Sequence, residues 1–415
     1  IIMMIFMSLY TIVDGIYISR FLGSNALSSL NIVFPVINVV IAIATMLGTG
    51  GNAIISKYLG EGKNQEAREC LTGFTVIGLA VSILLLILTQ VFLTPICRIL
   101  GSTDILLADC QAYLSTSLMF APACMLQTLF QSYLVTAGMP ALGLFLTIGA
   151  GILNAVLDYV LILVFPMGIT GAALATGIGQ ALSTGVYLVV YASTELPVRL
   201  RRACLKLNKE LDTRLYSIGI PAILNLALPS LLVTFLNSLL AAFSGSYVVV
   251  LGIYYKLQTF LYLPANGIVQ GMRPLISYNY GAGEHKRVRR LYQITLILSA
   301  AIMAAGTLGC LVASEPLMRL FTSTPETVEA GKIALRIICL GFVVSAISTT
   351  SSGALEGLGK GTQSLVISLC RYIVFIMPLA WVLCRQFGPV GVWNAFWATE
   401  VLSAIVSLIV YKKSV

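Results

Sequence analysis

The stretch FTVIGLAVSILLLILTQVFL, residues 74–93, contains no charged side chain. Its length matches the ~20 residues that a helix needs to cross the hydrocarbon core of a bilayer. Residues 141–165 and 294–312 form similar, nearly charge-free stretches. Backbone polar groups in lipid must be satisfied within each segment, and the period-two alternation of a β-barrel is absent. The sequence therefore predicts an all-α polytopic membrane protein.

The composition of the whole chain agrees with this class. Of 415 residues, 58% are hydrophobic and 10% are charged, whereas a soluble domain has roughly 25% charged residues. Hydropathy predicts twelve transmembrane helices. Their expected bounds are 1–20, 30–56, 71–94, 111–136, 141–165, 169–193, 214–243, 247–279, 292–313, 331–352, 362–384 and 389–411.

The formal net charge of +9 is explained by membrane topology rather than by nucleic-acid binding. With twelve spans, alternate loops fall on opposite sides, and most basic residues fall on one of them. By the positive-inside rule this side, which also carries both termini, is cytoplasmic. We expect a multi-pass protein of the cell (inner or plasma) membrane with no nucleic-acid partner. The basic residues of this side are Lys57, Lys63, Arg68, Arg199, Arg201, Arg202, Lys206, Lys209, Arg214, Lys286, Arg287, Arg289, Arg290, Lys360, Lys412 and Lys413.

An internal repeat divides the chain into two halves. A shift of 221 residues pairs Gly138 with Gly359, and a shift of 220 pairs Gly168 with Gly388. Six spans per half make the repeats parallel. We expect two pseudo-symmetric six-helix lobes around a central cleft. The expected bounds are 1–194 for the first lobe, 195–213 for a basic cytoplasmic linker, and 214–415 for the second lobe.

Neither a metal cluster nor an enzyme motif is evident. The nine cysteines are scattered, and the chain has a single histidine, His285, so we expect reduced, buried thiols and no cofactor. A P-loop, a G-x-S-x-G motif and an H-E-x-x-H motif are all missing from the sequence. The sequence predicts a protein that is neither an enzyme nor an ATP-driven pump.

Acidic residues inside the spans mark the candidate site. An ionised side chain at the bilayer centre costs roughly 2.5–3.5 kcal/mol, and Asp14, Asp158 and Glu400 lie well inside spans. Asp14 and Asp158 are expected at similar depth. Asn154 shares a helix face with Asp158, and Thr176 reaches the same level. These oxygens would suit Na⁺, or a proton shared by the carboxyl pair. The alternative is that each Asp only pins helices together.

Other intramembrane polar residues carry weaker hypotheses. Arg371 and Glu400 are expected at matching depth, as a buried ion pair that either locks the second lobe or forms a second coupling site. Interhelical hydrogen bonding is the default role of the remaining polar residues. As candidates for lining the cleft we take Gln127, Gln131, Gln180, Asn225, Asn237, Lys256 and Gln258. Pro35, Pro122, Pro229 and Pro264 are candidate bends.

The chain resembles the multidrug and toxic compound extrusion (MATE) family, nearest to its MepA-type and DinF-like branch. The resemblance covers essentially the whole chain. It rests on the following motifs: Val13-Asp14-Gly15-Ile16-Tyr17-Ile18, Leu59-Gly60-Glu61-Gly62, Asn154-Ala155-Val156-Leu157-Asp158, Gly168-Ile169-Thr170-Gly171-Ala172-Ala173-Leu174-Ala175-Thr176, Pro274-Leu275-Ile276-Ser277-Tyr278-Asn279-Tyr280-Gly281-Ala282-Gly283 and Gly388-Pro389-Val390-Gly391-Val392-Trp393.

The resemblance implies a twelve-helix, two-lobe exporter of polyaromatic or cationic drugs that is driven by H⁺ or Na⁺. In related proteins the coupling ion binds on helices 1, 5 and 6. The matching positions here are Asp14, Asn154, Asp158 and Thr176. Some NorM-like relatives instead carry acids on helices 7 and 10. In this chain Asp212 and Glu356 lie near span ends, which weakens the case for a sodium site in the second lobe.

We therefore expect a monomeric antiporter that works by alternating access and exchanges organic cations for H⁺ or Na⁺. Three alternatives stay open. One is a flippase or exporter of a dedicated amphiphilic metabolite or lipid-linked precursor. The second is an ion channel, and the third is an intramembrane hydrolase with Asp14 and Asp158 as its catalytic pair.

Overall fold

A computed structural model describes residues 17–193 and 209–414 and, before them, Ile2, Ile5, Phe6 and Asp14. The chain folds as two compact units, residues 2–219 and 220–415. The predicted linker 195–213 lies mostly outside the described residues, as does most of the predicted first span. Helices account for nearly all of the described chain.

The first unit packs its long helices around a core rich in aromatic rings. The rings of Phe130 and Tyr191 lie 5.0 Å apart between centroids, and Tyr191 Oη donates to the Phe130 carbonyl at 3.2 Å. The helices of this unit are α1 (Ile18–Leu22, a π-helical turn), α2 (Gly23–Gly60), α3 (Asn64–Val91), α4 (Leu93–Ile99), α5 (Leu107–Met119), α6 (Ala121–Thr136), α7 (Pro140–Asp158), followed by the π-helical turn Tyr159–Val164, and α8 (Gly168–Ser193).

The second unit repeats this succession of helices. Its core surrounds the buried rings of Tyr254, Phe342 and Trp393. The helices are α9 (Lys209–Ala241, which begins in the first unit), α10 (Gly245–Gly281), α11 (His285–Val312), α12 (Ser314–Arg319), α13 (Pro325–Ile338), the 3-10 turn Cys339–Gly341, α14 (Phe342–Gly357), α15 (Gly361–Leu369), the π-helical turn Cys370–Phe375, α16 (Ile376–Phe387) and α17 (Pro389–Ser414).

The glycine repeat of the sequence has a structural counterpart in each unit. Gly168 and Gly388 have φ angles of +63° and +64°, a left-handed conformation that side chains with a Cβ rarely adopt. They let the chain turn directly into α8 and α17. Three residues later, Gly171 and Gly391 each bring the new helix against a carbonyl oxygen of the preceding one, that of Leu161 and Leu383 respectively.

The number of spans agrees with the prediction within the described residues. Ten helices are long and apolar enough to cross a membrane, and the bent pair α5 and α6 makes an eleventh. The bend of 50° falls at Phe120, and Pro122 lies in the first turn of α6, as the proline pattern predicted. Pro35, Pro229 and Pro264 lie inside continuous helices.

The close approach at Gly171 gives a stability prediction. A Cβ at this position would lie 2.8 Å from the Leu161 carbonyl oxygen, and backbone yields less readily than a side chain. We expect Gly171→Ala to destabilise the protein by about 1–3 kcal/mol, measured as a lower midpoint of thermal unfolding in detergent. Gly149→Ala is the matched control, because a Cβ there meets nothing within 4 Å. Equal unfolding midpoints for the two variants would contradict the close packing of Gly171 against the Leu161 carbonyl.

Candidate functional site

Two π-helical turns position the acidic residues of the first unit. Asp158 is the last residue of α7, directly before the turn Tyr159–Val164, and Asp14 lies four residues before α1. The two turns contact each other, and both contact α8. Such short π-helical segments are frequent at functional sites. Here they bring the carboxyl groups of Asp14 and Asp158 within hydrogen-bonding reach of each other.

Three oxygens of this carboxyl pair lack hydrogen-bond donors among the described residues. Asp158 is completely buried. Both of its carboxylate oxygens and Oδ1 of Asp14 have no donor among the described residues. Two ionised carboxylates cannot hydrogen-bond each other, because neither holds a proton to donate. The pair therefore needs a cation, and a single shared proton would provide the missing hydrogen bond.

Asn154 adds a further oxygen without a partner. Its side chain is 4% exposed, and its amide nitrogen donates to Thr176 Oγ1 at 3.2 Å. Its amide oxygen has no partner in the described part of the chain. Asn154 lies one helical turn before Asp158 on the same face of α7. The structure thus gathers the four residues predicted from sequence on α7, α8 and the segment just before α1.

A cavity lies beside these residues, within the first unit. Its empty volume, which includes space open to solvent, is about 420 Å³. Asn154 and Thr176 are part of its wall, so the cavity and the acidic site share residues. The lining contains amides and hydroxyls but no charged side chain among the described residues. The lining residues are Gln127, Gln131, Thr147, Ala150, Gly151, Asn154, Thr176, Gly179 and Gln180.

Small residues and the bend between α5 and α6 shape the cavity. The ring of Phe120, at the bend, packs onto Gly177 of α8, where a Cβ would overlap it. Gly179 lets α8 approach Ala150 and Asn154 of α7. Gln131 Nε2 donates to Thr147 Oγ1 at 2.8 Å across the wall. The predicted cleft residues Gln127, Gln131 and Gln180 thus lie in this cavity.

Within the second unit the structure brings Arg371 and Glu400 together. Arg371 Nε lies 3.0 Å from Glu400 Oε1, and Nη2 contacts the same oxygen. Both side chains are 12% exposed. Arg371 belongs to the π-helical turn Cys370–Phe375, and Glu400 to α17.

The other predicted cleft residues of the second unit are dispersed. Asn237 and Gln258 are half-buried, and Lys256 is exposed. Asn225 Nδ2 donates to Glu356 Oε1 at 2.9 Å and to Ser364 Oγ at 3.1 Å.

Sequence reasoning missed the ion pair that Asn225 joins. Arg273 Nη2 lies 2.6 Å from Glu356 Oε2, and Ser364 Oγ donates to Glu356 Oε1 at 2.9 Å. Glu356 is only 4% exposed, yet it lies at the end of α14, which made it resemble a loop residue. A signal was available in the sequence: Arg273 lies inside the predicted span 247–279, and a charged residue within a span calls for a partner.

Comparison with known proteins identifies the family. The MatE family model matches residues 1–160 and 221–382. The chain belongs to the MatE family, whose members are membrane transporters and not enzymes.

Individual relatives match over nearly the whole chain. The multidrug export protein MepA of Staphylococcus aureus strain MSSA476 is 26% identical over 415 residues, which cover 97% of this chain and 90% of that protein. The protein of the same name from Staphylococcus saprophyticus is 24% identical over 411 residues, with the same coverage. These matches agree with the predicted MepA-type branch.

Solved structures confirm the fold. A crystal structure of a MATE transporter in the straight conformation has a TM-score of 0.92 at 21% identity and covers 100% of this chain and 94% of that one. A mutant of the Vibrio cholerae MATE transporter VcmN has a TM-score of 0.90 at 25% identity, with the same coverage. The predicted class, an all-α polytopic membrane protein of twelve helices, is confirmed.

The carboxyl pair gives a second prediction. Asp158→Asn replaces an ion without a donor by an amide that can itself donate to Asp14. Because an unsatisfied buried group costs about 1–3 kcal/mol, we expect this variant to unfold at a higher temperature than the wild type at neutral pH. The control is Asp104→Asn in the same unit, where the carboxylate is 85% exposed and should barely change the midpoint. A lower midpoint for Asp158→Asn would show that the ionised carboxylate stabilises the fold.

Proposed function

We propose that this transporter is a multidrug efflux antiporter that exports organic cations in exchange for H⁺ or Na⁺. The names of the MepA relatives support multidrug export. Asp14, Asn154, Asp158 and Thr176 hold the coupling ion. The observation that carries this assignment is the set of buried oxygens of Asp14, Asn154 and Asp158 that have no donor among the described residues.

Each candidate ion has one supporting observation. The two carboxyl groups lie within hydrogen-bonding reach, and one proton between them would satisfy both. The free amide oxygen of Asn154 favours Na⁺ instead, because hard cations prefer oxygen ligands. Among the described residues no cluster of three or more His, Cys, Asp or Glu exists, so a sodium site would depend on amide and hydroxyl oxygens.

The cavity provides the link to the substrate. Its described walls are neutral, so a cationic substrate would be attracted mainly by the carboxyl pair beside it. An ion bound at that pair neutralises the same charge that attracts the substrate. Binding of one ligand thus lowers affinity for the other, and this coupling is reciprocal. The amide and hydroxyl groups of the wall suit cations that also carry hydrogen-bonding groups.

The distribution of basic residues supports the orientation in the membrane, and the presence of all four site residues in one chain supports a monomer. The basic loops and both termini face the cytoplasm, and the monomer carries a complete set of the four site residues. Alternating access between two six-helix lobes, residues 1–194 and 214–415, would then move substrate outward while the ion moves inward.

The test is ethidium efflux from right-side-out vesicles under separately imposed pH and Na⁺ gradients. We expect one gradient to drive efflux, and the variants Asp14→Asn and Asp158→Asn to abolish it, because each removes a charge that binds the ion. The control is again Asp104→Asn, which should transport like the wild type.

Two results would overturn the proposal. Undiminished efflux in both site variants would exclude the carboxyl pair as the coupling site. Failure of either gradient to move any tested cation would point to a flippase or to an exporter of a dedicated amphiphilic metabolite.

A further inference from the structure

The internal repeat relates the cavity of the first unit to the ion pair of the second. The shift of 221 residues that pairs Gly138 with Gly359 also pairs Ala150 with Arg371. The shift of 220 that pairs Gly168 with Gly388 also pairs Gln180 with Glu400. Ala150 and Gln180 both line the cavity. The second unit therefore has an arginine and a glutamate at the two repeat positions whose counterparts line the cavity of the first unit.

The ion pair leaves one carboxylate oxygen unused. Both contacting nitrogens of Arg371 approach Oε1 of Glu400, rather than one nitrogen to each oxygen as in the bidentate arrangement that gives the strongest pairs. The Glu400 side chain is 12% exposed. Its second oxygen, Oε2, has no partner in the part of the chain that the structure describes. Glu400 therefore retains the capacity to bind a second cationic group.

Aromatic rings lie near this pair. Phe396 precedes Glu400 by one helical turn of α17. The Tyr254 ring lies 5.2 Å from that of Phe396, and the guanidinium carbon of Arg371 lies 5.3 Å from the Tyr372 ring centroid. Ring faces attract cations by several tenths to about 2 kcal/mol each, depending on desolvation. A buried carboxylate among aromatic rings is the chemistry that recognises organic cations.

We propose that Glu400 is the anionic centre of a second cation-binding site, which holds the Arg371 guanidinium when empty and a planar organic cation when loaded. This site lies outside the carboxyl pair of the first unit, and the proposal rests on the proposed export of organic cations. Arg371 acts as a tethered competitor. It keeps the buried carboxylate neutralised between transport events and lowers the affinity for substrate, which favours release.

The local helix geometry allows Arg371 to move. Arg371 is the second residue of the π-helical turn Cys370–Phe375, and a π-helical segment between α-helices is a frequent place for a change of register at functional sites. A shift of the guanidinium away from Oε1 would leave both carboxylate oxygens of Glu400 available to another cation.

The test is equilibrium binding of ethidium to the purified protein, followed by fluorescence without any gradient. In Arg371→Gln the competitor is gone, and we expect binding roughly tenfold tighter if Arg371 occupies Glu400 about nine-tenths of the time. In Glu400→Gln, and in the double variant Arg371→Gln/Glu400→Gln, we expect weaker binding than in the wild type. Arg371→Lys should increase ethidium affinity by an intermediate amount, because a lysine ammonium is a point charge and competes less well for Glu400 than a guanidinium does.

An uncharged planar dye serves as the control ligand, and its affinity should be equal in all variants. A purely structural ion pair would behave differently. Both single variants would lose thermal stability, and the double variant would regain it. Ethidium affinity would then fall in each variant in proportion to its loss of stability, whichever charge was removed. That pattern, or unchanged ethidium affinity in Arg371→Gln, overturns this site. If Arg371→Gln does not fold, an unchanged affinity in Arg371→Lys overturns it.

The result is distinguishable from failure of the proposed function. If wild-type vesicles export ethidium in a manner that depends on Asp158, but the Arg371 and Glu400 variants bind it as the wild type does, only the second site is rejected. If the wild type neither binds nor exports ethidium or any other tested cation, both proposals are rejected together.

Discussion

The structure depends on how a carboxylate is tolerated inside an apolar helix bundle. An ionised side chain in the membrane needs a partner, and the two units satisfy this need differently. In the first unit Asp14 and Asp158 lie against each other, and three of their oxygens have no donor among the described residues. In the second unit Glu400 has a counter-cation within the chain, Arg371. The first arrangement requires an ion from outside the protein, whereas the second supplies its own cation.

By the sequence repeat, Arg371 and Glu400 correspond to Ala150 and Gln180 of the cavity wall, whereas Asp158 corresponds to Leu379. Gly168 and Gly388 start α8 and α17 with nearly the same φ angle, and Gly171 and Gly391 set the same close approach to the preceding helix. At the positions that the repeat pairs, the first unit has Ala150 in the wall of a cavity, and the second unit has Arg371 in a π-helical turn.

The sequence predicted the spans and the four residues of the candidate site because depth along a helix can be counted from its ends. It could not predict the π-helical turns after Asp158 and around Arg371, since a π turn leaves no periodicity of its own in five or six apolar residues. The ion pair of Arg273 and Glu356 was missed for a related reason. Hydropathy does not locate the last turns of a helix accurately, so a buried carboxylate near the end of α14 is easily assigned to a loop.

The energetic cost of an unpaired carboxylate also explains why exchange would be obligatory in the proposed antiporter. With neither ion nor substrate bound, the pair of Asp14 and Asp158 would carry uncompensated charge through the conformational change, at a cost of roughly 2.5–3.5 kcal/mol for an ionised group at the bilayer centre. That cost corresponds to a factor of about 100 in the population of the crossing state. Binding of either the coupling ion or the cationic substrate removes this cost. The empty transporter therefore changes conformation rarely, and the loaded transporter does so readily. Glu400 would add no such barrier, because Arg371 keeps it neutralised whenever substrate is absent.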